Sequence, residues 1–174
     1  MSRLLLVRHA EAAAHSPAGD SDRPLTPQGT ADAARMGNYL RQSCLLPGRA
    51  LASPALRARA TLDAILRELP RKPASCELDA SLYYADAGIF LEVLARTEDA
   101  VETLLIVGHN PGVWQFARFL VNKEDGFPGH FPAPSLAVIG LGCGGWSGAG
   151  AGSGSLELFV DFSGTQIDDL ASRS

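Results

Sequence analysis

Residues 3–11 read Arg-Leu-Leu-Leu-Val-Arg-His-Ala-Glu, an apolar run that ends abruptly in polar residues. Such a run is typical of a strand buried on both faces at the centre of a parallel sheet. Residues 103–110 repeat the pattern, since Thr-Leu-Leu-Ile-Val is followed by Gly-His-Asn. Ligands of open α/β sheets bind at the carboxyl ends of the strands. We therefore expect the Arg8-His9 pair and His109 to face one crevice.

Shorter apolar runs alternate with helical patterns along the rest of the chain. Two helices are expected to begin at a hydroxyl residue followed by proline, at Thr26-Pro27 and Ser53-Pro54. The alternation predicts an α/β protein built as a three-layer αβα sandwich around a mostly parallel central sheet. Further strands are predicted at residues 50–52, 76–78, 136–141 and 156–160. Helices are predicted at residues 27–43, 53–69, 88–96 and 112–121.

The length of 174 residues predicts one domain spanning residues 1–174. Within it, residues 140–154 contain eight glycines, which we interpret as a flexible loop connecting two neighbouring strands. The stretch also contains a G-x-G-x-x-G spacing. No helical pattern follows the third glycine, as a dinucleotide site requires, so we reject a nucleotide-dependent oxidoreductase.

Charge and cysteine content narrow the classes of partner. The formal net charge is −4, and without a basic excess a nucleic-acid partner is not expected. No apolar run approaches the ~20 residues of a membrane helix, and no signal peptide is recognised, so neither membrane association nor export is predicted. The three cysteines form no C-x-x-C pair, which disfavours a disulfide framework and fits a reducing cytoplasm.

A third motif, residues 53–61, lies where a helix is expected to begin, and it contains Arg57. A helix N-terminus offers free N–H groups that suit an anion, and arginine grips tetrahedral oxyanions with two donors. A neutral imidazole can act as a nucleophile. The two arginines and two histidines therefore predict a phosphoryl-transfer site with a histidine nucleophile. No carboxylate cage accompanies them, so we expect neither a metal nor an organic cofactor.

These motifs resemble the histidine phosphatase superfamily, whose fold is phosphoglycerate-mutase-like. Within it the chain is similar to the short SixA-type phosphohistidine phosphatases. The resemblance is carried, in family order, by residues 4–11, residues 23–26 with Gly29, residues 53–61 and residues 107–112. A weaker similarity continues at Phe131-Pro132.

The resemblance implies a role for each matching residue. His9 would be the nucleophile that becomes phosphorylated, while Arg8, Arg57 and His109 would bind the phosphoryl oxygens. The other ring nitrogen of His9 is then expected to donate to a carbonyl or carboxylate. Arg57 and Arg59 point about 200° apart on a helix, so both cannot face the pocket. The family spacing selects Arg57.

The sequence does not decide the role of two polar residues near the motifs. Arg23 and Glu11 lie near the same strand end, and either could contact a ligand or brace a loop through a salt bridge. His15 and His130 lie in loops rich in proline and glycine, and we interpret both as surface histidines.

The chain departs from the larger members of the superfamily, many of which place a glutamate general acid after the third strand. Here Ser81 falls near that position, and the sequence does not show whether Glu77, Asp79 or Asp86 substitutes for it. An imidazole leaves readily once solvent protonates it, whereas an alkoxide needs a positioned acid. The departure therefore favours a phosphohistidine substrate.

The predicted function is a metal-independent phosphatase that forms a phosphohistidine intermediate. The expected partner is a phosphorylated protein carrying phosphohistidine. Residues 62–102 leave little room for a capping insertion, so we expect an open cleft, which suits a protein surface. One alternative is a phosphomonoesterase of the same superfamily acting on a small phosphorylated metabolite. A second is a non-catalytic phosphate-binding module.

Overall fold

The structure, a computed structural model, describes residues 2–121, 127–142 and 144–163, and the backbone of 168–169. Strands in this part of the chain are β1 (Ser2–Arg8), β2 (Arg49–Ala52), β3 (Ser75–Leu78), β4 (Thr103–Gly108), β5 (Ser135–Leu141), β6 (Gly154–Asp161) and β7 (Asp168–Asp169). The α-helices are α1 (Pro27–Gln42), α2 (Leu56–Glu68), α3 (Ala87–Ala95) and α4 (Gly112–Leu120). Short 3-10 helices at Asp20–Asp22 and Ala80–Tyr84 occupy segments where no regular element was predicted.

The strands form one sheet in the order β3-β2-β4-β1-β5-β6-β7. The first four strands in this order run parallel, whereas β5 pairs antiparallel with both β1 and β6. The α/β class is confirmed, but the prediction of a mostly parallel sheet is wrong, because the sheet is mixed. Every residue of β5 is buried. A strand buried on both faces shows a continuous apolar run in either direction, so its composition did not reveal its orientation.

Side chains of β1 alternate between two apolar cores, one on each face of the sheet. Leu4 and Leu6 pack in a core that includes residues of α3 and α4, whereas Leu5 and Val7 pack in a second core with residues of α1 and α2. Helices therefore cover both faces, as a three-layer arrangement requires. All four side chains are fully buried, and burying each contributes about 1.5–3 kcal/mol. The strand that leads to the site is thus fixed along its length.

The starts of α1 and α2 differ in their capping. At α1 the Thr26 hydroxyl accepts a hydrogen bond from a backbone N–H of the first turn, and the helix begins at Pro27, as predicted. The second helix begins at Leu56, and its cap residue makes no side-chain hydrogen bond. The predicted start, with Ser53 as cap and Pro54 as first helical residue, is therefore wrong by two residues. The Ser53 hydroxyl instead contacts a side chain of the candidate site.

The glycine-rich stretch at residues 140–154 joins the neighbouring strands β5 and β6, as predicted. Trp146 anchors its described part, because the indole is 1% exposed and its N–H donates to the Val101 carbonyl at 2.8 Å. The flexibility of the loop as a whole stays a prediction, and Cys143 lies outside the described residues.

Cys44 and Cys76 are exposed free thiols. Neither forms a disulfide within the ranges that the structure describes. In those same ranges, no helix combines the length and the apolar character needed to cross a membrane.

We predict that Trp146→Ala lowers the free energy of unfolding by about 3–5 kcal/mol, the usual cost of deleting a buried aromatic side chain. Trp146→Phe keeps most of the apolar contact and loses the indole N–H, so it is expected to cost less. Urea unfolding followed by circular dichroism measures both. A Trp146→Ala protein within 1 kcal/mol of the parent would show that the stretch is not anchored by this side chain.

Candidate active site

The site lies at the carboxyl ends of the two central strands. Arg8 is the last residue of β1, and it pairs in register with Gly108, the last residue of β4. The His9 N–H donates to the Gly108 carbonyl at 3.1 Å, which extends the ladder by one residue. His9 and His109 therefore follow neighbouring strand ends, and their ring centroids lie 4.9 Å apart. The structure brings these two predicted residues together.

Hydrogen bonds orient the His9 ring. Nδ1 lies 2.7 Å from the Ala10 carbonyl oxygen, which can only accept, so Nδ1 carries the ring proton. Nε2 is then unprotonated, and its lone pair accepts a hydrogen bond from the Arg57 Nε–H at 3.3 Å. The expectation that one nitrogen contacts a backbone carbonyl while the other stays unprotonated agrees with this geometry.

Both site histidines are held in the neutral form. Burial lowers the pKa of His9 to about 3, against the opposing effect of the Ala10 carbonyl, and the charges of Arg57 and Arg8 add to the lowering. Burial also lowers the pKa of His109 to about 4, with Arg57 as the next cause. An imidazole whose pKa lies this low is unprotonated at neutral pH, as a nucleophile must be.

Arg57 lies in the first turn of α2, and its side chain is 6% exposed. Thr61, one turn later, accepts a hydrogen bond from the Ala10 N–H at 2.9 Å and donates to the Arg57 carbonyl at 2.7 Å. These bonds join the residue after His9 to the helix that carries Arg57. Arg59 is exposed, so the structure places Arg57, and not its neighbour, at the site.

Arg8 and Asn110 converge on one backbone oxygen. Arg8 Nη1 and Asn110 Nδ2 both donate to the Phe131 carbonyl, at 2.8 and 2.9 Å. Within the described residues, Arg8 Nε and Asn110 Oδ1 are buried without a hydrogen-bond partner. Burial lowers the pKa of Arg8, and a guanidinium stays charged in spite of this. The site therefore keeps one buried N–H donor of a cation, Arg8 Nε, without a partner among the described residues.

His109 is held by Ser53 and flanked by Tyr83. Its Nε2 lies 2.8 Å from the Ser53 hydroxyl oxygen, and the Tyr83 ring meets the imidazole edge-on with centroids 5.4 Å apart. In the part of the chain that the structure describes, Nδ1 of His109 is buried and has no partner. Ser53 is itself fully buried. Sequence reasoning assigned Ser53 to a helix cap and missed this contact.

Two clefts meet at Asn110. One, of about 220 Å³, lies beside Arg8 and Trp114. The other, of about 240 Å³, lies beside His109 and is bordered by Tyr84, whose surface is 83% exposed. Asn110 lines both clefts, whereas His9 and Arg57 line neither.

Arg23 and Glu11 make bracing contacts around the site. Arg23 Nε pairs with Asp20 at 2.8 Å, and Nη1 donates to the Ala13 carbonyl. Glu11 is exposed and accepts a hydrogen bond from the Thr26 hydroxyl at 2.8 Å. Arg23 thus forms a salt bridge that braces the loop, and its contact with a ligand stays a prediction. His15 and His130, interpreted as surface histidines, are both exposed.

Asp20 is a site-adjacent residue that sequence reasoning did not single out. Its carboxylate accepts hydrogen bonds from Tyr83, Arg23 and Arg57. The bonds from Tyr83 and Arg23 hold the pKa of Asp20 well below its usual range, so the carboxylate is ionised. The loop composition around Asp20 resembles a solvated turn, and the one available signal was its spacing of three residues from Arg23.

The three acidic residues considered as substitutes for the general acid are each engaged in a hydrogen bond or an ion pair. Glu77 pairs with Arg49 at 3.3 Å. Asp79 accepts from the N–H and hydroxyl of Ser81, and Asp86 accepts from a backbone N–H at the start of α3. Among the described residues, no cluster of three or more His, Cys, Asp or Glu side chains could hold a metal ion.

We predict that the ring-proton chemical shifts of His9 and His109 stay constant between pH 5 and pH 8. Both groups have lowered pKa values, about 3 and about 4, so both remain neutral throughout this range. A pH titration followed by NMR measures the shifts, with His9→Asn and His109→Asn proteins used for assignment. An inflection near pH 6.5 for either ring would contradict the described environment.

Known proteins resemble this chain in sequence and in fold. The model of the histidine phosphatase superfamily (branch 1) matches residues 4–100. The phosphohistidine phosphatase SixA of Escherichia coli is 31% identical over 141 residues, 80% of this chain and 85% of that protein. An uncharacterized protein of Mycobacterium tuberculosis is 38% identical over 105 residues, 60% of this chain, and the match spans 63% of its length, less than two thirds.

A solved structure of the protein histidine phosphatase SixA complexed with tungstate superposes with a TM-score of 0.77. It is 29% identical, and the alignment covers 90% of this chain and 95% of that one. The family match confirms the resemblance that the motifs indicated. This chain belongs to the histidine phosphatase superfamily.

Proposed function

We propose that the protein is a phosphatase that transfers a phosphoryl group to Nε2 of His9 and then to water. One observation carries the proposal. The ring of His9 is held by the Ala10 carbonyl at Nδ1, so the Nε2 lone pair is presented beside the Arg57 guanidinium. A neutral, oriented imidazole next to a cation fits nucleophilic attack on an anionic phosphoryl group.

In the first step the Nε2 lone pair attacks phosphorus. The nitrogen–phosphorus bond forms while the bond to the leaving atom breaks, and the leaving atom keeps the electron pair and takes a proton from solvent. In the second step water attacks the phosphohistidine, and a phosphorus–oxygen bond forms while the nitrogen–phosphorus bond breaks. The electron pair returns to Nε2, the proton of the water passes to solvent, and inorganic phosphate leaves. The ring of His9 then has its original form.

Three side chains would hold the phosphoryl oxygens during both steps. Arg8 and Arg57 supply cationic donors, and their paired N–H groups match phosphoryl geometry. The Ala55 N–H donates to the Ser53 hydroxyl at 3.3 Å, so that hydroxyl can itself donate to Nε2 of His109. The proton of His109 then lies on Nδ1, which is free to donate to a phosphoryl oxygen.

We infer that the substrate is a phosphohistidine on a protein. Glu77, Asp79 and Asp86 are all engaged in ion pairs or caps, and Asp20 is ionised, so none of these four is poised as a proton donor. A leaving imidazole tolerates this, because solvent can protonate it, whereas an alkoxide loses the 10²–10⁴-fold, roughly, that a positioned acid supplies. The similarity to SixA supports the same substrate class.

We predict that His9→Ala abolishes turnover of para-nitrophenyl phosphate in the presence of EDTA, since this leaving group departs without an enzymatic acid. Arg57→Ala is expected to lower kcat/KM about 10²–10³-fold through loss of a transition-state donor. Arg59→Ala is the matched control and is expected to stay within about twofold, because its side chain is exposed. An absorbance assay at 405 nm measures all three.

The nucleophile assignment fails if the His9→Ala protein keeps the parent rate. Bound inorganic phosphate without turnover in the parent would instead favour the phosphate-binding module.

We predict that a phosphohistidine peptide is hydrolysed with a kcat/KM about 10²–10⁴-fold above that of glycerol phosphate, because the second substrate lacks a leaving group that solvent can assist. Release of inorganic phosphate measures both rates, and His9→Ala is the background control. Equal rates would favour the phosphomonoesterase of small metabolites over a protein phosphohistidine phosphatase.

A further inference from the structure

The loop at residues 12–24 reaches the site through Asp20. Arg57 Nη1 donates to the backbone carbonyl of Asp20 at 2.7 Å, and Nη2 donates to its carboxylate at 3.0 Å. Both terminal nitrogens of Arg57 are therefore bound by one loop residue. The Nε–H of the same guanidinium contacts His9 Nε2.

Asp20 is fixed from its other side. Its Oδ1 accepts from Arg23 Nε at 2.8 Å, while its Oδ2 accepts from the Tyr83 hydroxyl as well as from Arg57. Arg23 in turn donates to the Ala13 carbonyl. The Arg57 guanidinium also lies over the Tyr83 ring, 5.7 Å from its centroid.

We propose that Asp20 is a positioning residue for the phosphoryl-transfer reaction, which acts by fixing the Arg57 guanidinium so that its Nε–H faces the atom that receives the phosphoryl group. The proposal rests on the function proposed above. A guanidinium is planar, so binding both terminal nitrogens fixes the direction of Nε–H. Fixing this donor before the substrate arrives avoids reorganisation in the transition state.

The same contact has a second physical interpretation, in which the Asp20 carboxylate stands in for the substrate phosphate and must leave before binding. The geometry favours positioning. One of the two bonds to Arg57 comes from the Asp20 backbone, which cannot rotate away as a side chain does. Both carboxylate oxygens also have partners besides Arg57. The two interpretations differ in the sign of the effect on phosphate affinity.

The test compares Asp20→Ala and Asp20→Glu with Asp22→Asn, a matched variant in the same loop. In the parent, the Asp22 carboxylate accepts a hydrogen bond from the neighbouring Ser21 hydroxyl. Asp20→Ala is expected to lower kcat/KM for para-nitrophenyl phosphate about 10–100-fold, the range for losing a charge-assisted hydrogen bond. Asp20→Glu retains a carboxylate and is expected to recover most of the loss. Asp22→Asn is expected to match the parent within about twofold.

A double-mutant cycle separates positioning from a general effect on folding. If Asp20 acts through Arg57, then Asp20→Ala in an Arg57→Ala protein changes kcat/KM by less than about twofold. The full loss in that background would overturn the proposal, as would an equal loss in Asp22→Asn. Thermal melting of each variant confirms that it is folded.

Calorimetric titration with inorganic phosphate measures binding, so it tests the role of Asp20 without turnover. If the parent turned over no substrate, only the proposed function would fail. Positioning predicts that Asp20→Ala weakens phosphate binding about fivefold or more, since Arg57 is no longer held toward the site. Unchanged or tighter binding would overturn it, and tighter binding would show that the carboxylate competes with phosphate.

Discussion

The hydrogen bond from the His9 N–H to the Gly108 carbonyl is the contact on which the site depends. It continues the parallel β1–β4 ladder past the last residue of each strand, so the two histidine-bearing turns leave the sheet side by side. The ladder itself is held by fully buried side chains on both faces. Any shift of register between β1 and β4 would separate His9 from His109, because their approach is set by that pairing.

The remaining parts of the site come from elements that pack against these strand ends. The helix α2 contributes Arg57, and Thr61 joins that helix to the backbone after His9. The segment after α4 contributes the Phe131 carbonyl, which accepts from Arg8. Close backbone approach matters as well, since a Cβ on Gly112 would lie 2.0 Å from the Ala85 carbonyl oxygen. That approach lets the segment bearing Tyr83 lie beside His109.

Much of this arrangement could be predicted from the sequence, and the reasons are specific. Arg8, His9 and His109 follow apolar runs, and the edge at which parallel strands end fixes where such residues meet. Arg57 could not be separated from Arg59 by pattern alone and needed the family spacing. The antiparallel direction of β5 and the contacts of Ser53 and Asp20 were missed. Each depends on tertiary partners distant in sequence, which neither composition nor periodicity reveals.

In the proposed reaction, His9 carries the phosphoryl group between substrate and water. The most direct measurement is to stop turnover of a phosphohistidine peptide with alkali during the first seconds and to locate the phosphoryl group on the protein by mass spectrometry. We expect phosphorylation at His9 in the parent and none in the His9→Ala protein. Steady turnover with no phosphorylation at His9, or with phosphorylation at another residue, would contradict it.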